Sequence, residues 1–232
     1  MEKLVYMLWK PKAVSAADFS ANIRQLAPDL TAAGASSIAV NIVDEHVGDG
    51  IKARLTRLDP PLDGALSFWL DCADDRGSCE RLLDAVTART AGYLVVESVP
   101  LRNTTSVAAL GARTPGINMV TCIEQPDRLT YDAWIAHWHG HHKEVALETQ
   151  CTFLYIRNVV VRALTADAPP WAGIVEEGFP AEAVTDPRIW YRADGSEERF
   201  RANLQRMIES VNAFLDVDHI ESHPMSQYRM TP

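Results

Sequence analysis

Residues Thr130–Asn158 read TYDAWIAHWHGHHKEVALETQCTFLYIRN and hold the junction that decides the fold. At helical spacing Tyr131, Trp134, Trp138, His142 and Val145 fall within about 80° of one another, so one imidazole sits in an aromatic stripe. Thr130 is placed to cap that helix. His137, His141, Glu144 and Glu148 form a second row beside the stripe. After Glu148 the pattern changes: Thr152–Val161 is apolar and rich in β-branched residues, which predicts a strand. A helix therefore feeds directly into a strand.

Working outward, Asn118–Ile123 reads as the strand before this helix, and Gly173–Glu177 as a short strand after it. Phe200, Leu204, Met207, Ile208, Val211 and Leu215 give an amphipathic helix, and Met225–Met230 a last strand. The N-terminal part has the same order. Leu4–Trp9 is a strand ended by Lys10 and Pro11; Ser15 caps a helix running to Ala33; Ser36–Val43 and Ala65–Leu70 are strands; a helix over about 75–89 precedes Tyr93–Val99. Each part reads β-α-β-β-α-β, and Arg102–Pro115, with NTTS and TPG, reads as a surface linker.

An ungapped offset of 115 residues places Phe19 on Trp134, Ile23 on Trp138 and Ile38 on Phe153. It also places Ala27 on His142, so the first copy has the scaffold without the imidazole. The expected fold class is α+β: tandem ferredoxin-like units, residues 1–105 without the site motif and 116–232 with it, closing an intrachain pseudo-dimeric barrel. One site per chain is expected.

The chain has 232 residues, 47% hydrophobic and 23% charged, with net charge −9 and pI near 5.2. An acidic surface argues against a nucleic-acid partner. No apolar run approaches the roughly 20 residues of a membrane span, and MEKLVYMLWKPK has an acidic second residue and a short apolar run, unlike a signal peptide. Cys72, Cys79, Cys122 and Cys151 form no CxxC pair, which suits free thiols in a reducing cytoplasm. No Gly-rich phosphate loop, P-loop or G-x-S-x-G elbow is present, so nucleotide, flavin and serine-hydrolase chemistry find no support.

The C-terminal part resembles the EthD family of dimeric α+β barrel proteins. The aromatic-xxx-Trp-xxx-His run of Trp134, Trp138 and His142, the YIRN of Tyr155–Asn158, Gly173, Ile174 and Glu176, and the late Phe214-Leu215-Asp216 carry that resemblance. Ala172 stands where the family has an acidic residue, while Asp63-Gly64 of the first copy echoes that pair. The resemblance implies a cleft between sheet and helices in the second half. It also implies cofactor-free lyase, isomerase or cyclase chemistry on aromatic or polyketide-like compounds, some relatives binding heme; the alternative for this chain is a non-catalytic binding or accessory protein for a small hydrophobic ligand, or a heme- or metal-binding member.

On this reading His142 is the candidate general base or acid, with Tyr155 and Asn158 as catalytic partners. Tyr131, Trp134, Trp138, His141, Arg157 and Glu176 are candidate substrate contacts. Tyr155 and Arg157 share one face of their strand, Ile156 and Asn158 the other; alternation leaves open which pair faces the cleft. The competing reading makes His142 a hydrogen-bonded core histidine, and the stripe a helix core. His137, His141 and Glu144 have the HxxxH spacing of a metal site but read equally well as a solvated edge without an HExxH motif, so no metal and no cofactor are expected. Asp44 and His46, ending the second strand near Asn41, read as an exposed strand end. The partners expected are a small molecule and, through exposed sheet edges, at most a second copy.

Overall fold

A computed structural model describes residues 1–232. Eight strands are laid down in chain order: β1 (Glu2–Trp9), β2 (Ser36–Ile42), β3 (Gly64–Leu70), β4 (Arg89–Leu101), β5 (Ile117–Ile123), β6 (Leu154–Ala163), β7 (Gly173–Phe179) and β8 (Ile220–Arg229). All pair antiparallel and close into a barrel in the order β1-β3-β2-β8-β5-β7-β6-β4. The two seams between the halves are β2–β8 and β4–β6. The architecture is the expected tandem βαββαβ barrel.

The 115-residue offset survives in the hydrogen-bond register. It carries Lys3 onto Asn118 and Val5 onto Val120. Their ladder partners correspond as well: Ser67 faces Val5 as Glu176 faces Val120, and Val95 faces Lys3 as Met225 faces Asn118. Two residues further along, Glu97 corresponds to Gln227.

Strand alternation sorts side chains to two faces. Val5, Met7, Val120, Ile174 and Met225 fill the barrel interior. The outer face of the first half packs Leu4, Tyr6 and Phe68 against α1 (Ala16–Gln25), α2 (Ala27–Ala32) and α3 (Gly77–Asp84). The outer face of the second half packs Ile123, Tyr155 and Val175 beneath α4 (Tyr131–Ala136), α5 (Lys143–Thr149) and α7 (Glu197–Phe214), with the four-residue α6 (Pro187–Trp190) at one end.

The elements depart from the sequence expectation where local rules meet tertiary constraints. The first helix is two, because Pro28 starts α2 and cannot bond into α1. The helix expected over 75–89 ends at Asp84, and β4 begins earlier, at Arg89, because β1 pairs with it from that residue. The last strand starts at Ile220 rather than Met225. Pro224 lies inside it, but β8 pairs with β2 only from Ser226 onward, so the missing N–H falls where one flank is unladdered. The linker is ordered: Gly111 N donates to Arg229 O at 2.7 Å and Thr114 N to Gln227 O at 2.8 Å. No helix is long and apolar enough to cross a membrane. The four cysteines are free.

Candidate functional site

The expected histidine helix is not one α-helix. Between α4 and α5, residues His137–His142 form a π-helical segment, a feature that concentrates at functional sites. Thr130 caps α4 as expected, its hydroxyl accepting from Ala133 N. Bonding from i to i+5 changes the angle per residue, so an ideal helical phase no longer fixes where the later imidazoles point. His142 contacts α7: its Nδ1 lies 3.0 Å from Ser210 Oγ, and its ring lies 4.6 Å from the Phe214 ring. Burial, then the neighbouring His137 and His141, push its pKa down to about 3, so it is neutral at pH 7. His137 also meets α7, with Nε2 3.1 Å from Ser210 O and its ring stacked on Phe214 at 5.4 Å. His141 is exposed, its ring 5.1 Å from that of His137. The row does not converge on a common point, because His137 uses Nε2 on a backbone carbonyl. Phe214 packs against the rings of both His137 and His142.

Trp134 and Trp138 are fully buried, ring centroids 5.0 Å apart, and Tyr131 lies half-exposed 6.0 Å from Trp134. Trp138 reaches the sheet because residue 173 has no side chain: a Cβ there would stand 2.5 Å from the indole. Beneath it the strand faces resolve. Tyr155 and Arg157 face the helices; Ile156 and Asn158 face the barrel interior. Tyr155 is buried beside Trp138. Burial, then the Glu177 carboxylate, raise the Tyr155 pKa, so the phenol keeps its proton. Arg157 donates from Nε to Ser98 Oγ at 3.1 Å and from Nη1 to the His139 carbonyl at 3.3 Å, tying β6 to the π segment.

Glu176 points the other way. It lies inside the barrel, where its Oε2 accepts from Asn41 Nδ2 at 2.9 Å and its Oε1 lies 3.7 Å from Lys3 Nζ. Asn158 is likewise interior and fully buried, donating to Ile174 O at 3.2 Å with its Oδ1 unpartnered. The nine candidate residues are therefore divided: Glu176 and Asn158 on one side of the sheet, the other seven on the helix side.

The acid that faces the helices is the next residue, Glu177. It is partly exposed, stands directly across the ladder from Tyr155, near Tyr191, and makes no hydrogen bond or ion pair within the protein. Burial alone pushes its pKa up to about 7. His139 is a second group that the phase argument passed over. Its buried Nε2 has no partner, and burial followed by Arg157 lowers its pKa to about 4. Period-two alternation signalled that Glu176 and Glu177 face opposite ways, but not which one meets the helices.

No protein-family model and no curated protein matches the chain. Solved structures do match its fold. An anthrone oxidase-like protein superposes with a TM-score of 0.57 at 11% identity, covering 100% of this chain and 94% of its own. A monooxygenase-like protein of Fusobacterium nucleatum gives 0.54 at 9% identity, covering 97% and 91%. The chain has the fold of the dimeric α+β barrel proteins, with both units in one polypeptide.

Proposed function

We propose that the second half carries a cofactor-independent proton-transfer site on its helix-facing layer, in an EthD-like protein acting on a small aromatic or polyketide-like carbonyl compound. The observation that carries this is Glu177, a carboxyl without counter-ion or hydrogen bond whose pKa burial brings to about 7. A base with that pKa takes a proton at neutral pH and returns it. The carboxylate removes a proton from a carbon next to a carbonyl or conjugated with it through an aromatic ring, the C–H electron pair is delocalised onto the carbonyl oxygen, and the protonated Tyr155 hydroxyl donates to the resulting enolate. Trp134, Trp138 and Tyr131 supply the aromatic wall. His142, neutral and hydrogen-bonded to Ser210, positions the π segment that holds Trp138. Lyase, isomerase and cyclase outcomes share this first step. The fold likeness to an anthrone oxidase-like protein suggests anthrone, an aryl ketone with an acidic CH₂, as first probe.

The test is deuterium uptake at the CH₂ of anthrone and a panel of aryl ketones in D₂O, followed by NMR. The wild-type protein is expected to accelerate exchange with a rate rising through an inflection near pH 7. Glu177→Gln should lose about 10²–10⁴-fold, and Tyr155→Phe a smaller factor. If the wild type binds these ketones without exchanging them, it is a binding protein for small hydrophobic ligands.

A further inference from the structure

The barrel is open at one end into a cavity of about 430 Å³, within the size range of small-molecule sites. Seven of the eight strands and the linker contribute to it. It lies on the opposite side of the sheet from Glu177 and Tyr155. Its floor is charged: Lys3, only 4% exposed, places Nζ 2.6 Å from Glu97 Oε2 and 3.7 Å from Glu176 Oε1. Asn118 Nδ2 donates to Asn41 Oδ1 at 2.7 Å, and Asn41 donates in turn to Glu176. At its rim stand Arg102 and Arg229, both exposed, and neither has an ion pair or a side-chain hydrogen bond. One wall is apolar, formed by Trp69, Val99, Val107 and Ile156.

A structural role alone accounts poorly for this floor. Between this floor and the other end of the barrel, Val5, Met7, Val120, Ile174 and Met225 form an apolar layer, and burying charges gains little over apolar packing. The pseudo-symmetry sharpens the point. At matching places the two copies carry Lys3 and Asn118, Ser67 and Glu176, Glu97 and Gln227. Each pair puts a charge on one copy and a neutral polar group on the other, so the ring is electrically lopsided. The floor holds two carboxylates for one ammonium, while the rim holds two guanidinium groups without partners.

We propose that this mouth is a second ligand site, for a small organic acid with an apolar body and a hydrogen-bond donor at its far end. The carboxylate meets Arg102 and Arg229, the body lies on Trp69, and a hydroxyl or ammonium group reaches Glu97 at the floor. Guanidinium groups hold carboxylates through paired N–H donors, and Glu97 accepts what the ligand donates. An anion without the donor leaves Glu97 with Lys3 as its one partner; an amine without the carboxylate meets two cations at the rim.

The probe is 4-hydroxyphenylacetate, with 4-methylphenylacetate lacking the donor, tyramine lacking the carboxylate, and a small panel of hydroxy- and amino-carboxylates. Binding to the full chain is followed by calorimetry. Saturable binding of the hydroxy acid is expected, weakened at least 10-fold by loss of either end of the ligand. The Arg102→Gln/Arg229→Gln double variant should weaken it by a similar factor. Glu97→Gln should erase the preference for the hydroxylated over the methylated acid. Glu177→Gln should change nothing, which separates this site from the helix-facing one. The rim arginines are exposed, so their replacement leaves the fold intact, checked by circular dichroism. No binding across the panel, equal binding by the double variant, or binding lost in Glu177→Gln would each overturn the proposal.

Discussion

His142 Nδ1 lies 3.0 Å from the Ser210 hydroxyl, so the imidazole of the aromatic stripe is shared between the π segment and α7. Its pKa falls from an ordinary 6.5 to about 3, burial being the main cause. The unfolded chain therefore takes up a proton, between about pH 6.5 and pH 3, that the folded chain refuses. Stability from this group is complete above pH 6.5 and is lost as the pH falls toward 3. Urea midpoints at pH 7.5 and pH 5 should show the wild type weaker at pH 5. His142→Gln should reduce that difference without removing it, because His139 and His223 are also lowered by burial. An unchanged slope in the variant would mean that the imidazole is freely solvated.

Glu177 has the opposite sign. Its pKa rises from 4.5 to about 7, so the folded chain holds a proton that the unfolded chain releases. The contribution is present below pH 4.5 and is lost as the pH rises through 7. Glu177→Gln removes the ionisation and should be more stable than the wild type by about 1–3 kcal/mol at pH 8, with no difference near pH 4.5. A stabilised variant that has lost proton exchange is the signature of a residue kept for chemistry at a cost in stability. Equal stability at both pH values would place the carboxyl in water.

Gly173 is fixed by Trp138. A Cβ at residue 173 would lie 2.5 Å and 2.8 Å from two indole carbons and 3.0 Å from Ile123 Cγ1, so the ring must move. Gly173→Ala is expected to cost about 1–3 kcal/mol by overpacking, seen as a lower denaturation midpoint with a shift in tryptophan emission. Because Trp138 packs beside Tyr155, ketone exchange should slow in the same variant.

Much of this was legible in the sequence because it is local. The helical spacing of Phe19, Ile23 and Leu30 in one copy and of Met207 and Leu215 in the other names side chains that are buried, although Ile208, read into the same stripe, is 44% exposed. The 115-residue offset holds because each copy must bring its first helix onto its own sheet at the same distance from its first strand. What stayed hidden depends on closure or on non-ideal winding. The π segment leaves no mark in hydrophobic periodicity, so helical phase alone does not show that His142 meets Ser210 and Phe214 or that His139 is buried without a partner. Which of the adjacent Glu176 and Glu177 meets the helices depends on which face of β7 the closed barrel turns outward. The charged floor of Lys3, Glu97 and Glu176 assembles only when β1, β4 and β7 meet around the barrel, and no sequence spacing encodes that.

Asp44 is the clearest case of a residue whose role comes from closure. It reads as an exposed strand end, yet it is only 7% exposed. Its Oδ1 accepts from Ser226 Oγ at 2.7 Å and from His46 N at 3.1 Å, and its Oδ2 accepts from Tyr228 Oη at 2.7 Å. Ser226 and Tyr228 belong to β8, so one carboxylate bonds across the β2–β8 seam that joins the halves. Removing it leaves two buried hydroxyls without their acceptor, and bonds to a charged group are worth more than neutral ones. Asp44→Ala should cost about 2–4 kcal/mol by denaturant unfolding, with faster amide exchange in β8 from Ser226 to Arg229. His46→Ala, at a side chain 48% exposed, should stay within about 0.5 kcal/mol of wild type. If both variants unfold at the wild-type midpoint, the seam is held by its backbone ladder alone.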